Sequence, residues 1–305
     1  DIIPFRSAAE VNQTDEVILY PPSDPIRGIY PAKIQYYLKE QADTVHIDLM
    51  DYNGVVIHSY SGFNYKYVPD PNVSRWMRGG STVPTTAKGL NTFTWDLRYP
   101  GATSFDGMII WSARPQRGPL APLGNYQVKI RVGDVQKTET FEIKIDPNLE
   151  EITPADLQLQ FDLSIQIRNQ TSSANEAVIQ IRSLRNQLVH LMKNQELSAL
   201  NTSAQEIIEK TRTIEETLYQ VKNQSNQDPL NFPIKLNNRL ASLRRSVENG
   251  QARPTDAAYV VFDELKGALT QLLTQLDTLL SEDMNRLNDA LMAKGFKAIE
   301  IKNTP

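Results

Sequence analysis

Three histidines, His46, His58 and His190, are the only imidazoles in 305 residues, and cysteine is absent. No two of them stand three or four residues apart, so the helical pair that clamps zinc cannot form. Without cysteine, disulfides, thiolate nucleophiles and thiolate metal sites are excluded together. His46 and His58 alternate with apolar neighbours in strand-like runs, which predicts solvated positions on the polar faces of their strands. There is no Gly-x-Ser-x-Gly elbow and no phosphate-cradling Gly-rich loop ending in Lys-Ser/Thr. Glycoside hydrolysis needs only two acids a few ångströms apart, and Asp70, Asp96 and Asp106 are the loop candidates for such a pair. Aspartate serves turns far more often than catalysis, and that is the reading favoured for all three. Ser104-Phe105-Asp106-Gly107-Met108-Ile109-Ile110-Trp111 approaches the Asp-box of β-propellers, with the glycine one place early and the threonine missing. That box is a hairpin-turn device, not a catalytic one. The expectation is therefore no catalytic residue, no cofactor and no tightly bound transition metal. Calcium in an Asp-rich loop stays open.

Composition agrees with a folded protein. Apolar residues make up 40% and charged residues 22% of the chain, in the range of globular domains. The net charge of −4 divides evenly between the halves, so neither half attracts nucleic acid by bulk charge. Apolar runs are broken well short of the roughly 20 residues that span a bilayer, and no membrane span is expected.

Two hydrophobic periods divide the chain. Before residue 147 apolar residues alternate: Ile34, Tyr36, Leu38; Val45, Ile47, Leu49; Phe93, Trp95, Leu97; Tyr126, Val128, Ile130, Val132; Phe141, Ile143, Ile145. That period of two marks half-buried antiparallel strands. Asp51-Tyr52-Asn53-Gly54 reads as a tight hairpin whose Asn-Gly pair supplies positive φ, and Gly133-Asp134 joins the last two strands. About seven short strands predict an immunoglobulin- or fibronectin-type β-sandwich. From residue 153 the period is helical. Thr153 caps a helix opening at Pro154 and running to about Lys193, with a break expected near Thr171-Ser172-Ser173. A second helix is expected over Ser203–Val221, with Ile207, Ile214, Leu218 and Val221 inward. Asp228-Pro229 to Phe232-Pro233 breaks the chain. A third helix carries Leu236, Leu240, Leu243 and Val247, and a fourth runs from after Thr255 to about Lys294. Four helices with short links predict an antiparallel four-helix bundle, with the Leu stripe over 265–291 as its core rather than a partner-binding zipper. Arg244-Arg245 and Glu215-Glu216 read as solvated faces.

Residues 61–88 and 99–123 interrupt the strand pattern with loops rich in aromatics, proline and glycine. Loops so long must be ordered by packing on something. A private mini-core, a surface that docks on a neighbouring domain, and a sugar-stacking platform are all open. Trp76, Tyr99 and Trp111 are the candidate interaction residues.

Gly89-Leu90-Asn91-Thr92-Phe93-Thr94-Trp95-Asp96-Leu97-Arg98-Tyr99-Pro100, then Pro122-Leu123-Gly124-Asn125-Tyr126-Gln127-Val128 and Asp146-Pro147-Asn148, resembles the C-terminal region of large exported bacterial proteins. The N-terminal part of those proteins is a sortilin-like β-propeller, often glycosyl-hydrolase-like. Asp228 to Asn237 and Arg253-Pro254-Thr255 resemble that family's spacers. The resemblance covers roughly residues 18–295. It implies that an upstream β-propeller of the same polypeptide is the partner, that any hydrolase activity belongs to the propeller, and that the protein lies in the periplasm or at the cell surface. Polysaccharide or a surface protein is a further possible partner, and the alternative role is a carbohydrate-binding accessory region.

The resulting partition is a connecting segment over 1–30, a sandwich over 31–147, a bundle over 148–295 and a tail over 296–305. Limited proteolysis is expected to cut close to 147–153 and leave two stable pieces.

Overall fold

The computed structural model describes residues 15–64 and 83–300. Strands fill the N-terminal part: β1 (Val17–Leu19), β2 (Ala32–Leu38), β3 (Thr44–Asp51), β4 (Val56–Phe63), β5 (Gly89–Trp95), β6 (Arg98–Pro100), β7 (Arg117–Leu120), β8 (Gly124–Val132) and β9 (Val135–Ile143). Helices follow: α1 (Pro154–Leu191), α2 (Asn201–Leu218), α3 (Leu236–Val247), α4 (Asp256–Thr278) and α5 (Met284–Ala293). A single π-helical turn, Leu279–Asp283, joins α4 to α5, so the C-terminal part holds four helical runs. None of the described helices is long and apolar enough to cross a membrane.

Two compact units emerge: Asp1–Pro100 with Leu120–Gln158, and Gly101–Pro119 with Leu159–Pro305. The partition read from the sequence differs in several places: 101–119 belongs with the helices, β1 puts part of the supposed connecting segment 1–30 into a sheet of the first unit, that unit runs on to Gln158, and Phe296 and Ile299 of the supposed tail pack on a helical cluster.

In the first unit, antiparallel sheets in the orders β1-β2-β5 and β4-β3-β8-β9 share one apolar core. The alternating residues of the sequence fill it, with Ile34, Tyr36, Val45, Ile47, Phe93, Trp95, Val128 and Ile130 all buried. Trp95 packs against Tyr126 and Phe141, and its indole N–H donates to the Arg98 carbonyl at 2.9 Å. The Tyr126 hydroxyl reaches back to the Pro122 carbonyl at 2.9 Å, tying the start of β8 to the preceding loop. Val132 and Ile145, expected inward, are only partly covered.

The hairpin between β3 and β4 stands where Asp51 and Gly54 predict it, but by a different device. Only Gly54 adopts positive φ, and the Asp51 carboxylate accepts the N–H groups of Asn53 and Val55 in place of a second left-handed residue. A register shift between Leu49 and Met50 follows. Because of it Leu49, a core residue, stands opposite His58. His58 thus lies on the core face, not the solvated face that simple alternation predicts. It is half-buried against the Tyr60 ring at 4.3 Å. Burial pushes the His58 imidazole below its ordinary value, against a smaller opposing pull from Asp96. Burial together with the same Asp96 charge pushes the Tyr60 phenol up to about 12. His46 keeps to the other face, where its Nδ1 meets the Ser61 hydroxyl at 2.8 Å. Asp48, on the same face as His46, is buried, taking the Ser59 hydroxyl at 2.7 Å and pairing with Arg131.

In the second unit the helices open where capping chemistry predicts. The Thr153 hydroxyl accepts from the Asp156 N–H while the Asp156 carboxylate accepts from the Thr153 N–H, a reciprocal box that leaves fewer orphan donors. Thr255 caps α4 through the Ala258 N–H. Helix α1 runs unbroken through Thr171-Ser172-Ser173, and the buried Thr171 hydroxyl is satisfied by the Ile167 carbonyl one turn back. Helix α2 ends at Leu218, and Val221 beyond it is exposed rather than inward. Two apolar clusters fill the bundle, one around Ile167, Val178, Leu240 and Leu269, the other around Leu188, Ile207, Met284 and Leu287.

His58 makes the first unit acid-sensitive in a definite direction. Its depressed folded value means that the unfolded chain takes the proton more readily, so stability is full above about pH 6.5 and falls as pH drops through the folded value. Denaturation midpoints measured from pH 7.5 down to about 5 should fall in the native chain and fall less steeply in His58→Gln. Parallel curves would assign the acid sensitivity to another group.

Candidate interaction surface

Residues 101–119, the strap, leave the strand region and return to it, yet apart from the bond that closes the neck, the polar contacts described next are with helices of the second unit. Gly101 makes the narrow neck possible: a Cβ there would stand 2.0 Å from the Gln116 carbonyl oxygen. The Ala102 N–H donates to the Pro115 carbonyl at 2.8 Å, closing the neck.

Helix α1 takes the first part of the strap. The Thr103 N–H donates to the Ser172 hydroxyl at 3.0 Å, the Thr103 hydroxyl to Glu176 at 2.7 Å, and Asn175 to the Thr103 carbonyl at 2.7 Å. Positions 172, 175 and 176 lie on one face because residues three and four apart are helical neighbours. Asn175 is itself held by the Asn237 amide at 2.9 Å from α3.

Phe105 and Met108 then pack on the apolar cluster of the bundle. The Phe105 ring meets Tyr219 edge-on at 5.0 Å, and the Arg182 guanidinium lies over both rings, 4.7 Å from the first and 5.3 Å from the second. Arg182 is fixed there by Glu215, which is 1% exposed and also binds Arg185, each ion pair at 2.6 Å. The Glu215-Glu216 pair is therefore not simply a solvated face, since its first member is a buried anchor. The Tyr219 hydroxyl takes the Ile109 N–H at 3.0 Å.

Helix α3 holds the last part. Asn238 grips the Trp111 backbone at both ends: its Oδ1 accepts the Trp111 N–H at 2.6 Å and its Nδ2 donates to the Trp111 carbonyl at 3.0 Å. Arg245 donates to the Ser112 carbonyl at 2.7 Å, and Ser112 sits in the left-handed region at φ 55. Arg244, 5% exposed, donates to the carbonyls of Arg114 at 3.0 Å and Arg117 at 2.6 Å and pairs with Glu248 at 2.8 Å. Arg244-Arg245 is thus a clamp on backbone carbonyls, a role that their position near the end of a helix did not announce.

The candidate residues fall in different places. Trp111 is on the strap, backbone-clamped and 37% exposed. Tyr99 packs against the core of the first unit, where burial raises its phenol above the ordinary value. Trp76 and Asp70 lie outside the described residues. Asp96 is exposed and accepts the Arg98 N–H in a turn, and Asp106 is exposed on the strap. The near-match to an Asp-box falls on the strap, where Gly107 at φ 73 and the Met108 N–H bond to the Phe105 carbonyl make a turn. His190 lines a cleft of about 660 Å³ at the end of the bundle, with Leu191, Leu197, Leu291, Phe296 and Ile299. Among the described residues no group of three or more His, Asp or Glu side chains converges at metal-binding spacing. The residues that sequence reasoning missed are Glu215, Asn238 and Arg244. Each is an ordinary helix residue by local pattern, and only the arrival of the strap gives it a task.

No family model matches the chain, and no curated protein matches it. Among solved structures, CopC from Methylosinus trichosporium OB3b aligns at 15% identity over 44% of this chain and 98% of CopC, with a TM-score of 0.22. A likeness at that level carries no functional argument.

Glu215→Gln removes the charge that Arg182 and Arg185 share while keeping the side-chain volume. Breaking a buried pair on one side typically costs about 3–5 kcal/mol, and the two arginines are partly solvated, so a loss at or below the lower end of that range is expected in chemical denaturation. An unchanged midpoint would show that the triad contributes nothing net. The strap also changes the outcome of proteolysis: after a cut at 147–153 the pieces should migrate together on a native gel, because residues 101–119 belong to the second unit.

Proposed function

We propose that this chain is a non-catalytic interaction module of an exported bacterial protein, in which an immunoglobulin/fibronectin-type sandwich and an antiparallel four-helix bundle brace an upstream β-propeller of the same polypeptide. The observation that carries the reading is the fate of the buried polar side chains in the second unit. Glu215, Asn175, Asn238 and Arg244 are each engaged in holding the strap or its neighbours. Reactive groups need an open coordination or hydrogen-bonding position facing a substrate, whereas these face the protein's own backbone and arginines. Their work is to fix a surface.

The proposal carries with it a periplasmic or cell-surface location, which rests on the resemblance in residues 89–100, 122–128 and 228–237. Nucleic acid is not the partner in this reading, given the net charge of −4.

Association of the purified chain with the separately expressed propeller measures the proposal directly. A one-to-one complex in sedimentation velocity at micromolar concentration is expected, in the range of inter-domain contacts within one chain. Two independently sedimenting species at about 100 μM would sink it.

A further inference from the structure

The strap presents Trp111 in an unusual way. Its backbone is gripped by Asn238 at both N–H and C=O, the next residue is gripped by Arg245, and the residue is left 37% exposed. A large aromatic residue left partly open on a clamped backbone offers apolar surface whose main chain needs no further ordering on binding. The exposed residues that follow are Ser112, Arg114, Gln116 and Arg117, all hydrogen-bonders or cations. An aromatic hot spot for a protein partner is ringed by contacts that exclude water, and this ring is polar.

Charge is concentrated at the same place. Helix α3 carries Arg239, Arg244 and Arg245 and no acidic residue within its span, in a chain whose net charge is −4. Arg239 and Arg244 have acidic partners in Glu264 and Glu248, while Arg245 holds the strap at Ser112. Arg168 on α1 adds a further guanidinium. Burial lowers its affinity for the proton, and the charge of Arg244 lowers it further. The acids at this face are Glu248 on Arg244, Glu264 on Arg239, Glu176 under Thr103 and Asp106, exposed earlier on the strap, which leaves Arg114, Arg245 and Arg168 with no acidic partner named. Local positive potential in a low-dielectric setting attracts an anion more strongly than the bulk charge suggests.

We propose that the strap and α3 form a binding face for an acidic polysaccharide, with Trp111 stacking on the apolar face of a sugar ring and Arg114 meeting its carboxylates. Planar guanidinium forks match carboxylates in geometry, and the indole supplies the flat surface that a pyranose ring covers. This rests on the reading of the chain as an interaction module and names a ligand for it.

Affinity electrophoresis of the 305-residue chain in gels containing polygalacturonate tests the proposal, with neutral dextran and poly-glutamate gels alongside. Retardation by polygalacturonate alone is expected, weakened about tenfold in Trp111→Ala, largely kept in Trp111→Phe, and reduced in Arg114→Gln. The melting temperature should hold in Trp111→Phe and Arg114→Gln, because the clamps on this segment are backbone bonds, whereas Trp111→Ala gives up some buried apolar area and is read against the Phe variant. Equal retardation by poly-glutamate would overturn the glycan in favour of an acidic protein. Retardation that Trp111→Ala leaves untouched would reduce the effect to bulk charge, and no retardation would overturn the proposal outright. Association with the propeller, measured separately, would survive any of these failures, so the two readings fall independently.

Discussion

The carboxylate of Glu215 is the constraint on which the second unit is arranged. It is 1% exposed, a buried charge is costly unless paired, and two guanidiniums stand 2.6 Å from it. Holding Arg182 in that pair also aims its flat face at Phe105 and Tyr219. The strap's apolar plug is therefore seated by an electrostatic requirement of the helices. With Phe105 in place, the neighbouring backbone is brought within reach of Tyr219, and the chain is led on toward Asn238 and Arg244.

A second layer of polar contacts fixes register along α1 and α3. Gln160 donates to the carbonyls of Val247 and Gly250, both at 2.9 Å, satisfying groups left open where α3 ends. Further along, Asn175 and Asn237 meet amide to amide. Apolar side chains alone would allow neighbouring helices to slide by a turn at small cost. Buried amides that must find particular partners do not. The strap uses the same positions, since Asn175 serves both Asn237 and Thr103.

This arrangement explains a loop that looks excessive within a strand pattern. Connections between strands need few residues, and a long ordered excursion must recover its conformational entropy through contacts elsewhere. Here the recovery comes from burial of Phe105 and Met108 and from a series of backbone-directed hydrogen bonds. What remains outward is a rigid edge carrying Trp111 and arginines.

Local chemistry announces most of the strands and helices and two of the helix caps. Alternation in Val45-Ile47-Leu49 or Tyr126-Val128-Ile130 is a local consequence of the two-residue pleat, and Thr153-Pro154 or Thr255 announces a helix start through chemistry confined to one turn. The sequence also marked 99–123 as a segment that must pack on something. Only the tertiary structure decided what that something is. The anchors Glu215, Asn238 and Arg244 stand more than a hundred residues from their partners on the strap or are buried by helices remote in sequence, and no local period encodes such a meeting. His58 shows the same limit at short range. Its strand was legible, but the face it presents was set by a register shift opposite Leu49 and Met50, because facing is a property of the paired sheet and not of the strand alone.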